Sequence, residues 1–94
     1  GQERGLRGGT ENVVGIIGFG AACGAAQAAG RERAAAMAAL RDRLWDGLAL
    51  RIGAVRWNGD PARTLPNTLH VELIGVEAEV LVQALDLEGI AVSA

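Results

Sequence analysis

Between Val13 and Gly30 the chain runs eighteen residues without a charge. Gly15, Gly18, Ala22, Ala25 and Ala29 recur there at three- and four-residue intervals. That spacing predicts a buried helix whose small-residue face lets another element approach closely. Gly20 and Gly24 form a small-xxx-small pair, but five glycines and six alanines make the run weakly apolar for a bilayer span, so no membrane is expected. Gly30 is expected to end this helix and Arg31 to open a second one reaching Arg51. In it Met37, Leu40, Leu44, Trp45, Leu48 and Ile52 form the apolar side, while Arg33, Arg41, Asp42, Arg43 and Asp46 form a solvated face. Gly53 closes it from a C′-like position.

The period then shortens. Ala54–Trp57 is apolar enough for a strand, and Asn58-Gly59-Asp60-Pro61 is a turn by composition. Asn67–Leu73 alternates, with Leu69, Val71 and Leu73 inward and Thr68, His70 and Glu72 outward. Val76–Leu87 returns to helical spacing, with Val76, Val80, Leu81, Ala84 and Leu85 on one side and Glu77 and Glu79 in a first turn that favours negative charge. Gly89 breaks it, and Ile90–Val92 is a last short strand. Helices followed by strands that bracket another helix describe an α/β piece.

Ninety-four residues allow one small domain with a modest core. A net charge of -2 gives no support for nucleic-acid binding. All nine basic residues are arginine, so the chain has no lysine. Cys23 is the single cysteine. It excludes an internal disulfide, suits a reducing compartment, and reads as a small buried thiol with no base beside it in sequence. His70 lacks a Cys or second His partner and reads as a half-exposed strand residue. Trp57 reads as a core or rim aromatic. No signal peptide is visible, and the chain opens without Met.

Candidate chemistry sits in Gly1–Gly15. Glycines that allow close backbone approach, the cations Arg4 and Arg7, and Thr10 before a helix start suit an anion, with phosphate the natural guest. The alternative is an ordinary loop in which Thr10 is the helix N-cap.

The order of these residues, Q-E-R-G-x-R-x-G-T-E-N-V, resembles the G-G-Q-E-x-G-x-R-[S/A]-G-T-E-N segment of cysteine desulfurases, pyridoxal-phosphate (PLP) enzymes of the class V aminotransferase family. Leu65-Pro66-Asn67-Thr68-Leu69-His70-Val71 resembles the family's L-P-N-T-L-N-V, with His70 in place of Asn. Gly75–Glu79 with Leu85–Ser93 resembles the run before its catalytic cysteine loop. The likeness implies a fold-type I PLP transferase fragment: the end of the large domain over residues 1–30 and the start of the small C-terminal domain over 31–94. It implies transfer of sulfur from L-cysteine, leaving alanine and an enzyme persulfide, in a cytoplasmic homodimer that serves a sulfur-acceptor or scaffold protein for iron–sulfur cluster assembly. It also implies that Thr10 reaches the PLP phosphate of the neighbouring subunit, with Arg7 in the same motif at the subunit contact or near that phosphate. Gly8 stands where the family has Ser or Ala. The family's PLP-bonding lysine precedes such a segment, and its mobile cysteine, in G-S-A-C, follows one like Ile90–Ala94. A selenocysteine lyase, another class V transaminase-like enzyme, and a non-catalytic interaction or structural domain are the alternatives.

Lacking lysine, this chain alone should form no covalent PLP adduct on a side chain and release no sulfide from L-cysteine. PLP incubation, borohydride reduction and mass measurement check this; a reduced adduct on any side chain contradicts it.

Overall fold

The computed structural model describes residues 2–94; Gly1, the first residue of the opening motif, lies outside them. By internal contacts the chain divides into Gly1–Ala35 and Ala36–Ala94. Among the described residues none is fully buried.

In the first unit a 3-10 turn at Glu3–Gly5 leads through an extended loop to helix α1, Val13–Ile52. Asn12, not Thr10, caps this helix: its Oδ1 accepts the Gly15 N–H at 3.0 Å, satisfying one of the orphan donors of the first turn. Gly15 makes room for that cap, since a Cβ there would lie 2.5 Å from Asn12 Nδ2. The small-residue stripe is helical, but the expected burial is absent: Gly15, Gly18, Ala22, Ala25 and Cys23 are all exposed. Val14 and Phe19 expose 83% and 74% of their surface. No second element in Gly1–Ala35 packs against this stretch, so its apolar atoms meet solvent. An eighteen-residue window of α1 has mean hydropathy 1.6 with none of it buried, so by length and composition alone the helix could cross a bilayer.

α1 also runs straight through Gly30, which the sequence reading had as a terminator. A glycine stops a helix by turning left-handed, and Gly30 has no positive φ. Held helical between alanines and Arg31-Glu32-Arg33, it costs about 1 kcal/mol relative to Ala, which its neighbours' propensities outweigh.

In Ala36–Ala94, Gly53 ends α1 with φ +69, and β1, Val55–Trp57, follows. It pairs antiparallel with β2, Val71–Leu73, aligning Val55 with Leu73, Arg56 with Glu72 and Trp57 with Val71. The expected register holds: Leu69, Val71 and Leu73 are half-buried while His70 and Glu72 are exposed. Arg56 and Glu72, directly opposite, form an ion pair across the outer face, with Nε 3.1 Å from Oε2. β2 is shorter than Asn67–Leu73 because its partner runs out. The last ladder bond is Asn58 N–H to the His70 carbonyl, after which Gly59 turns at φ +93 and Asp60 caps a 3-10 turn at Pro61–Arg63.

Helix α2, Ala78–Leu87, starts two residues later than expected. Its stop is well built: Ile90 N–H bonds the Leu85 carbonyl and Gly89 N–H the Asp86 carbonyl, both 2.9 Å, with Gly89 at φ +77, a Schellman motif. Ile90–Val92 forms no strand, since no neighbouring strand in the chain offers it a ladder.

The cap predicts a pattern of stabilities. Asn12→Ala should cost about 1 kcal/mol. Gly15→Ala should displace the same cap yet gain about 1 kcal/mol of helix propensity, leaving little net change. Gly18→Ala, with open space around it, should keep the full gain. Urea unfolding followed by far-ultraviolet circular dichroism compares the three. Equal gains for Gly15→Ala and Gly18→Ala would show that Asn12 does not cap.

Candidate anion-binding loop

Residues 2–12 carry the candidate chemistry, and all are exposed, Arg7 and Thr10 included. The backbone, rather than packing, shapes the loop. Glu3, Arg4 and Gly5 take left-handed φ values of 54°, 56° and 78°, closed by Gly5 N–H to the Gln2 carbonyl and Leu6 N–H to the Glu3 carbonyl, each 3.0 Å. That conformation costs a non-glycine residue roughly 1–2 kcal/mol, and such strain concentrates at ligand-binding segments. Gly9, at φ +89, bends the chain directly before Thr10.

Among the described residues, no backbone N–H from Arg7 to Thr10 donates a hydrogen bond within the chain. The Thr10 hydroxyl has no hydrogen-bond partner there, and neither Arg4 nor Arg7 has an ion-pair partner. Glu3 and Glu11 balance the two guanidiniums, so net charge does not recruit an anion here. What the loop offers an anion is donors: N–H groups and a hydroxyl without partners in the chain among the described residues, with two guanidiniums in the same segment. The loop holds Arg7 and Thr10 three residues apart, and no hydrogen bond joins them among the described residues. These donors fit the phosphate end of a cofactor such as PLP. Nothing in the chain fits its carbonyl end, which needs an amine side chain.

Other expected candidates scatter. Cys23 is exposed in the first third of α1. His70 is exposed at the hairpin base, using only its carbonyl. Trp57 is a half-buried packing residue, its ring 5.3 Å from that of Trp45 in a T-shaped pair.

Arg41 departs from its expected solvated position. Its side chain is only 13% exposed, and its Cζ lies 5.4 Å from the Trp57 ring centroid. Nη1 donates to the Leu65 carbonyl at 3.1 Å, and Nη2 meets Asp42 Oδ1 at 2.8 Å. The inward stripe of α1 in this unit is therefore Ala38, Arg41, Trp45, Leu48 and Ala49, leaving Leu40 and Leu44 at 65% and 55% exposure. Arg41 stands four residues before Trp45, a spacing that puts both on one face and is the signal that would have found it.

The class-V aminotransferase family matches residues 1–94, and the chain belongs to that family. The family as a class implies PLP dependence and the fold-type I architecture; this chain is a helix-rich stretch with a small sheet. The chain is similar to a cysteine desulfurase of Gluconacetobacter diazotrophicus, 46% identical over 92 residues, covering 98% of this chain and 23% of that protein. It resembles cysteine desulfurase IscS 1 of Archaeoglobus fulgidus at 42% over 93 residues, 99% of this chain and 24% of the relative. A Cereibacter sphaeroides cysteine desulfurase is 46% identical over 92 residues, again 98% and 23%. The chain thus spans about a quarter of the length of these curated relatives. No solved structure matches it.

Proposed function

We propose that this chain is a segment of a cytoplasmic, homodimeric PLP-dependent cysteine desulfurase that takes sulfur from L-cysteine and passes it to an acceptor or scaffold protein for iron–sulfur cluster assembly. Residues 1–30 would close the large domain and residues 31–94 open the small one. The observation that carries the reading is the opening loop, whose exposed Thr10 hydroxyl, unengaged N–H groups and Arg7 guanidinium form a phosphate-type donor set. Similarity to proteins named cysteine desulfurase across nearly the whole chain supports the substrate.

When bound, PLP supplies an electron sink for breaking the carbon–sulfur bond of cysteine. The chain's own residues supply binding and orientation. Thr10 donates its hydroxyl to a phosphate oxygen, and the adjacent free N–H groups share that dianion. The bend at Gly9 keeps side chains out of the approach. Arg7 provides fixed charge that can hold a phosphate or the partner subunit's surface through two parallel hydrogen bonds. The likeness of the motif to the family's loop supports its serving a cofactor carried by the neighbouring subunit.

In the full-length enzyme carrying this segment, Thr10→Ala should remove one charge-assisted hydrogen bond, about 1.5–3 kcal/mol or roughly ten- to a hundredfold in PLP affinity. Arg7→Ala should weaken dimer and cofactor together. Absorbance titration with PLP and sedimentation measure both. An unchanged PLP affinity in Thr10→Ala would remove Thr10 from the site.

A further inference from the structure

The segment joining β1 to β2, residues 58–70, is held unusually lightly. Its internal bonds are local: Arg63 N–H to the Asp60 carbonyl, Ala62 N–H to Asp60 Oδ1, Thr64 Oγ1 to the Asp60 carbonyl and Thr68 N–H to the Leu65 carbonyl. Its base is fixed by Asn58 N–H to the His70 carbonyl. Among the described residues, a single hydrogen bond ties positions 59–69 to another element, from Arg41 Nη1 to the Leu65 carbonyl. Arg41 is aimed there from both sides, since Asp42 accepts from its Nε at 2.9 Å and the Trp57 ring lies under its guanidinium.

We propose that residues 58–70 form a strap with Arg41 as its latch, and that on release of the latch the strap loses its local hydrogen bonds while α1 and the hairpin stay folded. Closed, it walls an open groove with Met37, Leu40, Arg41 and Leu44 on the helix and Asn67 and Leu69 on the strap. The hold across elements is slight: Arg41 Nη1 to the Leu65 carbonyl is one charged hydrogen bond, which exchanges for water on release. The cation–π contact of Arg41 with Trp57 lies between α1 and β1 and is kept. Opening is confined to positions 59–69 and leaves the β1–β2 ladder intact, its Asn58 N–H to His70 carbonyl bond included. The inference stands independently of the proposed activity.

Hydrogen exchange on the full 94-residue chain tests it, read at the Ala62, Arg63 and Thr68 amides of the strap and at strand and α1 amides. Arg41→Ala should speed exchange at the three strap amides about tenfold or more, the scale of one lost charged hydrogen bond, and leave the others unchanged. Arg41→Gln, which retains a donor for Leu65 without the charge, should fall between wild type and Arg41→Ala. Should Arg41→Ala not fold, the wild-type chain in low urea decides. Strap amides that exchange with a weaker urea dependence than hairpin amides support the strap. A shared dependence, strap exchange unaffected by either substitution, or a uniform rise across the chain would each overturn it.

Discussion

The guanidinium of Arg41 resting on the indole of Trp57 is the contact that positions the inter-strand segment of the Ala36–Ala94 unit. It joins three parts at one point: α1 through its own backbone, β1 through Trp57, and the inter-strand segment through Leu65. With no fully buried residue among those described, there is no enclosed apolar core to do this instead. A cation–π contact that is partly desolvated is worth about 0.5–2 kcal/mol, and a hydrogen bond from a charged donor about 1.5–3. Arg63 and Asp60, an exposed pair 3.7 Å apart, belong to the class worth about 0–1 kcal/mol. Burial, not charge, separates these cases. The edge-on Trp45 ring fixes the Trp57 plane and so the surface Arg41 lies on.

The other constraint is the composition of α1. Its first half trades helix propensity for closeness: glycine at positions 15, 18, 20 and 24 weakens the helix, yet leaves a smooth face that only an intimate neighbour could exploit. The large side chains interspersed there, Val14, Ile17 and Phe19 among them, remain uncovered within the chain. Family membership accounts for this pattern better than a bilayer does. The matched relatives are about four times as long as this chain, and a smooth small-residue face is one that a close-packed neighbour can fill.

The opening loop makes the converse trade. It buries nothing and satisfies little, but holds Glu3 and Arg4 in a conformation that side chains resist and leaves a run of N–H groups without partners. The left-handed backbone raises the energy of the loop by itself, while its exposed N–H groups, paired with water, stay available to a ligand. These features are what the proposed phosphate-binding role of the segment rests on; the chain has no lysine to hold the other end of such a cofactor.

Local chemistry determined much of this protein. Helical spacing placed the long helical stretch and α2, the left-handed glycines at 53 and 89 set both helix ends, and two-residue alternation assigned the faces of β2, because each depends on residues within one or two turns. The Gly-Arg-Thr motif of the loop was legible for the same reason. Tertiary structure decided whatever needed a partner. β2 paired over only three residues because β1 offered three, and Ile90–Val92 stayed single because no strand lay beside it. Gly30 stayed helical and Asn12 displaced Thr10 as the cap through contacts within one or two turns, local choices that composition alone did not separate. Arg41 turned inward because an indole and a free carbonyl, sixteen and twenty-four residues away in sequence, met its charge together.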